Sequence, residues 1–222
     1  MGWIRRYDMA EPAERPVGLD LASDAVRRGE LVVLPTDTVY GLGTDAFSPV
    51  AVAGLLAAKG RGRDMPVPVL VGTPRTLDGI ATGLTQAARE LVEAFWPGGL
   101  TLVATAQPSL RWDLGDTGGT VAVRMPLHPV ALELLRATGP MGVSSANLSG
   151  RPAPTTCDEA VEQLGEKVSV YLDGGPSGDP VASTIVDVTG AVPRLQRLGA
   201  VGLELLREVA PDLDPGVYGE AS

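Results

Sequence analysis

Apolar residues along the chain fall into short runs of two kinds, and each kind predicts an element. Residues 18–29 (GLDLASDAVRRG) place Leu19, Ala22 and Val26 at helical spacing, with Arg27 and Arg28 in the last turn and Gly29 as a stop, so a helix is predicted there. LVVLP (31–35) is a continuous β-branched run ended by Pro35, the pattern of a strand buried on both faces. TDTVYGLGTDAFS (36–48) reads as a polar, glycine-punctuated turn, followed by a helix from about Val50 to Ala58. VPVLVG (67–72) is a second strand, and LTQAARELVEAFWPGG (84–99) is an amphipathic helix stopped by Pro97, Gly98 and Gly99.

LTLVATA (100–106) and TVAVRMP (120–126) are strands, and PVALELLRATG (129–139) is a helix with a glycine stop. PMGVSSANLSG (140–150) is a short strand running into a Ser/Asn loop. TCDEAVEQLG (156–165) is a helix capped by Thr155 or Thr156. VSVYLDGG (168–175), STIVDVT (183–189) and PRLQRLG (193–199) are three more strands, and VGLELLREVAP forms a last short helix. Strands and helices mix without strict alternation, so the class is α/β or α+β with a mixed sheet, and no linker or repeat splits the chain.

Composition narrows what such a fold does. With 222 residues, 44% of them apolar, the chain buries a substantial core. Gly 28 and Pro 19 exclude a helix-only architecture, since both residues punctuate turns. Lys plus Arg is 18 against Asp plus Glu at 27, a net charge of -9 that argues against wrapping duplex nucleic acid. The acid excess lies in the last third, while Lys59, Arg61 and Arg63 make a local cationic loop in AAKGRGRDMP. A solvated charge run is the ordinary reading of such a loop, but its glycines let backbone N–H groups approach an anion closely. A single Cys157 excludes a disulfide framework and fits a reducing compartment; with a single His128 as well, no metal site built from protein ligands is expected. No apolar run reaches the length of about 18 residues that marks a membrane span, and the N-terminus lacks a signal-peptide core, so the expected location is cytoplasmic.

The familiar motifs fail. No G-x-x-x-x-G-K-[ST] segment is present, which excludes a P-loop. Gly41 to Ala46 matches G-x-G-x-x-A, but Pro35 ends the preceding strand six residues earlier, against a dinucleotide fingerprint. Gly142 to Ala146 resembles a nucleophile elbow, yet His128 precedes the serine, so the triad order cannot be assembled; His128 reads as a helix-start residue. What remains is a set of loops at strand ends bearing Thr36, Asp37, Thr38 and Tyr40; Lys59, Arg61 and Arg63; Thr120 and Arg124; Ser144, Ser145, Asn147 and Ser149; Ser183 and Thr184; and Arg197. Singly, each is an ordinary cap, turn or ion pair. Together they supply hydroxyls and amides for a polar small molecule and cations for phosphate.

At PTDTVYGLGTDAF, KGRGRDMP, TVAVRMPLHP, SSANLSGRPAPT and STIVD the sequence resembles the Sua5/YrdC/YwlC family of L-threonylcarbamoyladenylate synthases, from about Val17 to Gly202. The resemblance implies a single-domain α/β fold, a twisted mixed sheet flanked by helices with a concave ligand cleft. It leaves 1–16 as an N-terminal extension and 203–222 as a C-terminal tail. It implies condensation of L-threonine, bicarbonate and ATP to threonylcarbamoyl-AMP and pyrophosphate, for N6-threonylcarbamoyladenosine at tRNA position 37. Matched by position, the family's threonine site falls on Thr38, Arg124, Ser145 and Ser183, and its ATP site on Lys59, Arg61, Thr120, Asn147, Thr155 and Arg197. Lys59 and Arg61 take the catalytic role of offsetting phosphate charge, with Mg²⁺ bound through the phosphates. Two positions depart from the family: Leu70 stands where some relatives carry a threonine-contacting His, and Met65 where some carry Asn. The proton acceptor for the threonine amine is not assigned; Asp37 lies in the right loop and equally suits a turn cap. A downstream threonylcarbamoyl transferase is the expected partner, with tRNA reached only indirectly. The alternative is an RNA- or tRNA-binding module of the same fold without synthase activity.

Overall fold

In a computed structural model, the structure describes residues 4–177 and 181–219. Eleven strands form one sheet: β1 (Arg6–Asp8), β2 (Val32–Leu34), β3 (Gly41–Asp45), β4 (Val69–Leu70), β5 (Ala81–Thr82), β6 (Leu100–Ala106), β7 (Thr120–Arg124), β8 (Met141–Ser145), β9 (Val170–Asp173), β10 (Thr184–Asp187) and β11 (Arg194–Arg197). Their order is β1-β9-β2-β3-β8-β4-β7-β6-β10-β11, with β5 paired to β6 off that path. The pairs β1·β9, β9·β2, β4·β7 and β6·β10 are parallel and the rest antiparallel, a mixed sheet. The helices are α1 (Glu14–Arg27), α2 (Pro49–Lys59), α3 (Thr76–Ile80), α4 (Gln86–Phe95), α5 (Pro129–Thr138), α6 (Cys157–Leu164) and α7 (Leu203–Val209).

Alternation along the strands sends side chains to two separate cores. Val32, Leu34, Leu70, Met141, Val143, Val170 and Leu172 pack with α1 and α5. Val33, Val69, Val71, Leu100, Leu102, Val121, Val123, Tyr171 and Val186 face the other way, onto α2, α3, α4, α6 and α7. The α1/α5 core takes no residue from β6, β7, β10 or β11. On that half of the face Thr101 and Arg124 are buried at one end, Val103, Ala122 and Ile185 are half-buried and Thr105 is exposed, so the cover thins toward the Thr105 end and no helix of the α1/α5 core reaches it. Four steps of about 20–25° separate β2 from β7, enough to turn the two strands nearly perpendicular. The loop after β2 thereby reaches the end of β7, where Arg124 meets Asp37 and Thr38.

Where pattern and structure differ, the reasons are local. GLGTD, read as a turn, is the central strand β3, and its glycines are needed: a Cβ on Gly41 would lie 2.7 Å from Val143 Cγ1. The run at 67–72 yields only Val69–Leu70 as strand, because Pro68 has no N–H to give a ladder, although its carbonyl still accepts from Val143 N at 2.8 Å. The first helix begins at Glu14, four residues earlier than its apolar spacing predicts. Arg6–Asp8 pairs with β9 as an edge strand of the sheet, and α7 buries Leu206 against the larger core. At α6 the cap is Thr156, in a capping box with Glu159.

Candidate functional site

The loop between β2 and β3 is built by its threonines. Thr38 N donates to Thr36 Oγ1 at 3.2 Å, and the Thr36 hydroxyl donates to Val39 O at 2.7 Å, a turn closed by short polar side chains. Thr36 Oγ1 and Thr38 Oγ1 lie 3.1 Å apart. Arg124, the last residue of β7, enters this turn: its Nε donates to Gly98 O at 2.9 Å, one terminal nitrogen to Thr38 Oγ1 at 2.8 Å and the other to Asp37 Oδ1 at 2.6 Å. Arg124 is buried, which pushes its pKa down, and Asp37 opposes the shift. Three of its five N–H groups are committed among the described residues, leaving two without a protein partner there.

Beside it, Ser183 and Thr101 share a hydroxyl contact of 2.8 Å. Arg197, the last residue of β11, donates to Ser183 O at 2.7 and 3.0 Å and to Ser183 Oγ at 3.1 Å. Its charge lowers the pKa of Arg124, so two cations flank one patch of hydroxyls. Thr101 was missed in the sequence, although LTLVATA puts it on the face opposite Leu100 and Leu102.

The cationic loop divides into three different environments. Lys59, at 3% exposure, donates from Nζ to the carbonyls of Ser145 and Asn147 and to Asn147 Oδ1, the last two at 2.7 and 3.3 Å. Burial first and Arg61 second lower its pKa to about 8. All three donors are used at the last residue of β8 and in the loop after it, so Lys59 and Asn147 tie that loop to the strand end, and Asn147 Nδ2 is likewise spent on Leu148 O and Arg151 O. Arg61 donates to Ser144 Oγ at 3.0 Å, while its buried Nε has no partner among the described residues. Desolvation lowers its pKa, and the charge of Asp64 opposes the shift. Arg63 turns outward to Asp113 and Asp116.

The other expected residues are more scattered. Ser145 ends β8, and its hydroxyl has no partner among the described residues. Thr120 begins β7, on the same face as Arg124 but about 13 Å along the strand by its rise. Its hydroxyl donates to Thr117 O at 2.8 Å. The Thr155 hydroxyl is engaged by Glu159 at 3.2 Å. Leu70 is buried in the α1/α5 core, so it offers no polar contact. Met65 is exposed, its N–H facing Gly62 O at 3.4 Å. His128 precedes α5 as its N-cap without a capping bond, and burial lowers its pKa.

Tyr40 ties the loops together. Its N–H donates to Pro154 O at 2.9 Å and its carbonyl accepts from Ala146 N at 2.8 Å. Its buried hydroxyl donates to Gly175 O at 2.6 Å and accepts from Gly174 N at 3.1 Å. Among the described residues no group of three His, Cys, Asp or Glu side chains could hold a metal, and no helix is long and apolar enough to cross a membrane.

A family model described as telomere recombination, Sua5/YciO/YrdC, matches residues 24–199. The chain belongs to this family. A Mycobacterium tuberculosis relative provisionally named threonylcarbamoyl-AMP synthase is 58% identical over 203 residues, covering 91% of this chain and 94% of its own. The Bacillus subtilis family member named threonylcarbamoyl-AMP synthase is 38% identical over 190 residues, 85% of this chain and 55% of its own. Among solved structures, Pyrococcus abyssi Sua5 complexed with L-threonine superimposes with a TM-score of 0.89 at 34% identity, covering all of this chain and 65% of that one. The chain thus spans about two thirds of that Sua5 protein. Escherichia coli YciO, at 23% identity and a TM-score of 0.80, shares the fold.

Proposed function

We propose that the chain is an L-threonylcarbamoyladenylate synthase. The observation that carries this reading is Arg124, a buried guanidinium fixed by Thr38, Asp37 and Gly98 with two N–H groups to spare, beside the Ser183 and Thr101 hydroxyls. A cation with spare donors, an adjacent carboxylate and clustered hydroxyls match the carboxylate, ammonium and hydroxyl of threonine. The relatives' names and the threonine complex of the Pyrococcus abyssi protein support the same reading.

In this reaction the threonine amine adds to CO₂ derived from bicarbonate and loses a proton, giving a carbamate. A carbamate oxygen then attacks the α-phosphorus of ATP as the bond to the pyrophosphate oxygen breaks. No protein nucleophile is needed, so the chain contributes position and charge. Arg61 bears on the phosphates through the terminal nitrogens of its guanidinium, one of which already meets Ser144 Oγ, and Arg197 and Thr120 extend the nucleotide contact along the open face. Lys59 and Asn147 act by holding the loop that presents Ser144 and Ser145. Mg²⁺ would be held by the ATP phosphates, with no cluster of protein ligands among the described residues, and would offset phosphate charge there. The product passes to a threonylcarbamoyl transferase that engages tRNA, in the cytoplasm, where the buried thiol of Cys157 stays reduced.

Pyrophosphate release from ATP, with threonine and bicarbonate omitted in turn, tests the assignment. Release that needs both substrates is expected. ATP turnover indifferent to either would overturn it, and RNA binding without turnover would favour a binding module.

A further inference from the structure

The loop that carries Arg61 and the loop that leads into Thr120 have little regular structure, yet they are fastened to each other through Arg63. Arg63 donates to both oxygens of Asp113, at 2.8 and 2.9 Å, in a two-pronged pair, and its Nε reaches Asp116 Oδ1 at 3.3 Å. Its carbonyl accepts from Asp116 N at 2.8 Å, and Val67 N donates to Leu114 O at 2.8 Å. Backbone approach there is close: a Cβ on Gly115, whose φ is +104°, would lie 2.8 Å from Arg63 O. One residue before Asp113, Trp112 stacks on Phe47 with centroids 5.5 Å apart, while Leu114 is buried in the core. Asp116 adjoins Thr117, whose carbonyl receives both the N–H and the hydroxyl of Thr120.

We infer that Arg63, gripped by Asp113 and Asp116, is a positioning residue that sets the ATP affinity of the site by holding the Arg61 loop against the Thr120 loop. The inference rests on the nucleotide assignment above. Two carboxylates already neutralise Arg63, which separates it from Arg61, whose one side-chain hydrogen bond among the described residues is to the Ser144 hydroxyl; its task is to fix where Arg61 and Thr120 stand. A loop ordered before binding has less freedom to lose when the nucleotide arrives, so the pair acts on binding and not on the chemical step. The three side chains are exposed, so their attraction is screened by salt.

The experiment compares wild type, Arg63→Ala and Arg63→Lys. In Arg63→Ala, KM for ATP and the Kd of a non-hydrolysable ATP analogue are expected to rise three- to tenfold. There kcat and KM for threonine stay within twofold, and Arg63→Lys falls between. At 1 M KCl the ratio between wild type and Arg63→Ala should shrink toward one. Without ligand, amide exchange at Val67 and Asp116 should quicken in Arg63→Ala, a readout independent of catalysis. Equal analogue affinity in the two proteins would overturn the inference, as would a loss confined to kcat or unchanged exchange. Wild type that takes up no ATP analogue would overturn the nucleotide assignment itself, and unchanged exchange would overturn the clamp alone.

Discussion

Lys59 Nζ donates to the carbonyl of Asn147 at 2.7 Å and to its side-chain oxygen at 3.3 Å, so a buried cation supports the loop beside it. Its neighbour Arg61 gives one terminal nitrogen to the Ser144 hydroxyl and leaves a buried Nε without a partner among the described residues. Replacing Lys59 by Met strands three oxygens in the interior and should cost at least about 2 kcal/mol of stability in urea unfolding. Arg61→Met should cost under about 1 kcal/mol of stability while losing tenfold or more in kcat/KM for ATP, about 1.4 kcal/mol. Equal stability losses would mean that both cations are structural.

The same lysine gives a pH signature. Its pKa in the folded chain, about 8, lies below the ordinary 10.5, so between those values the unfolded chain holds a proton that the folded one has released. This group therefore adds stability as pH rises from about 8 to 10.5 and adds none of that gain below 8. Deprotonation also removes one N–H donor from the loop, so pyrophosphate release should fall over the range in which the Lys59 term in stability rises. Unfolding and rate profiles in parallel, with Lys59→Met as the reference for stability, check the opposition.

Asp37 is the counter-ion of Arg124 and also accepts from Leu127 N at 2.9 Å. Asp37→Asn leaves a buried guanidinium uncompensated, and a loss of about 3 kcal/mol in stability is expected, with weaker threonine binding. Calorimetry with L-threonine on the folded variant separates the two effects; unchanged threonine affinity would remove Asp37 from the site.

Tyr40→Phe deletes the hydroxyl that joins Gly174 N to Gly175 O. The lost bonds should cost about 1–3 kcal/mol in thermal or urea unfolding. Because Tyr40 also joins the loops at Ala146 and Pro154 through its backbone, the variant should remain folded.

Much of this arrangement was legible in the chain, and the exceptions share a cause. Runs such as LTLVATA and PVALELLRATG declare their period locally, and their elements form where the pattern places them. GLGTD lacks the apolar side chains that mark a strand, because its partners approach so closely that glycine is required. Arg61 and Arg63 look alike two positions apart. Their difference depends on Ser144 and on Asp113, about 80 and 50 residues further along, and no local pattern carries such distances. The contacts of Arg124 with Thr38, of Thr101 with Ser183 and of Lys59 with Asn147 join residues more than 80 positions apart, and they required the folded arrangement.

The thinly covered half of the sheet bears on how the protein lasts in a cell. Where β2, β4, β8 and β9 are roofed by α1 and α5, the strands β6, β7 and β10 add no side chain to that core among the described residues. Substrates seated there would serve as a roof. Bound at a hundred times their dissociation constant, they would contribute about 2.7 kcal/mol to the folded state. The protein would then be sturdiest in a well-fed cell and easiest to unfold, and to degrade, when ATP and threonine run low.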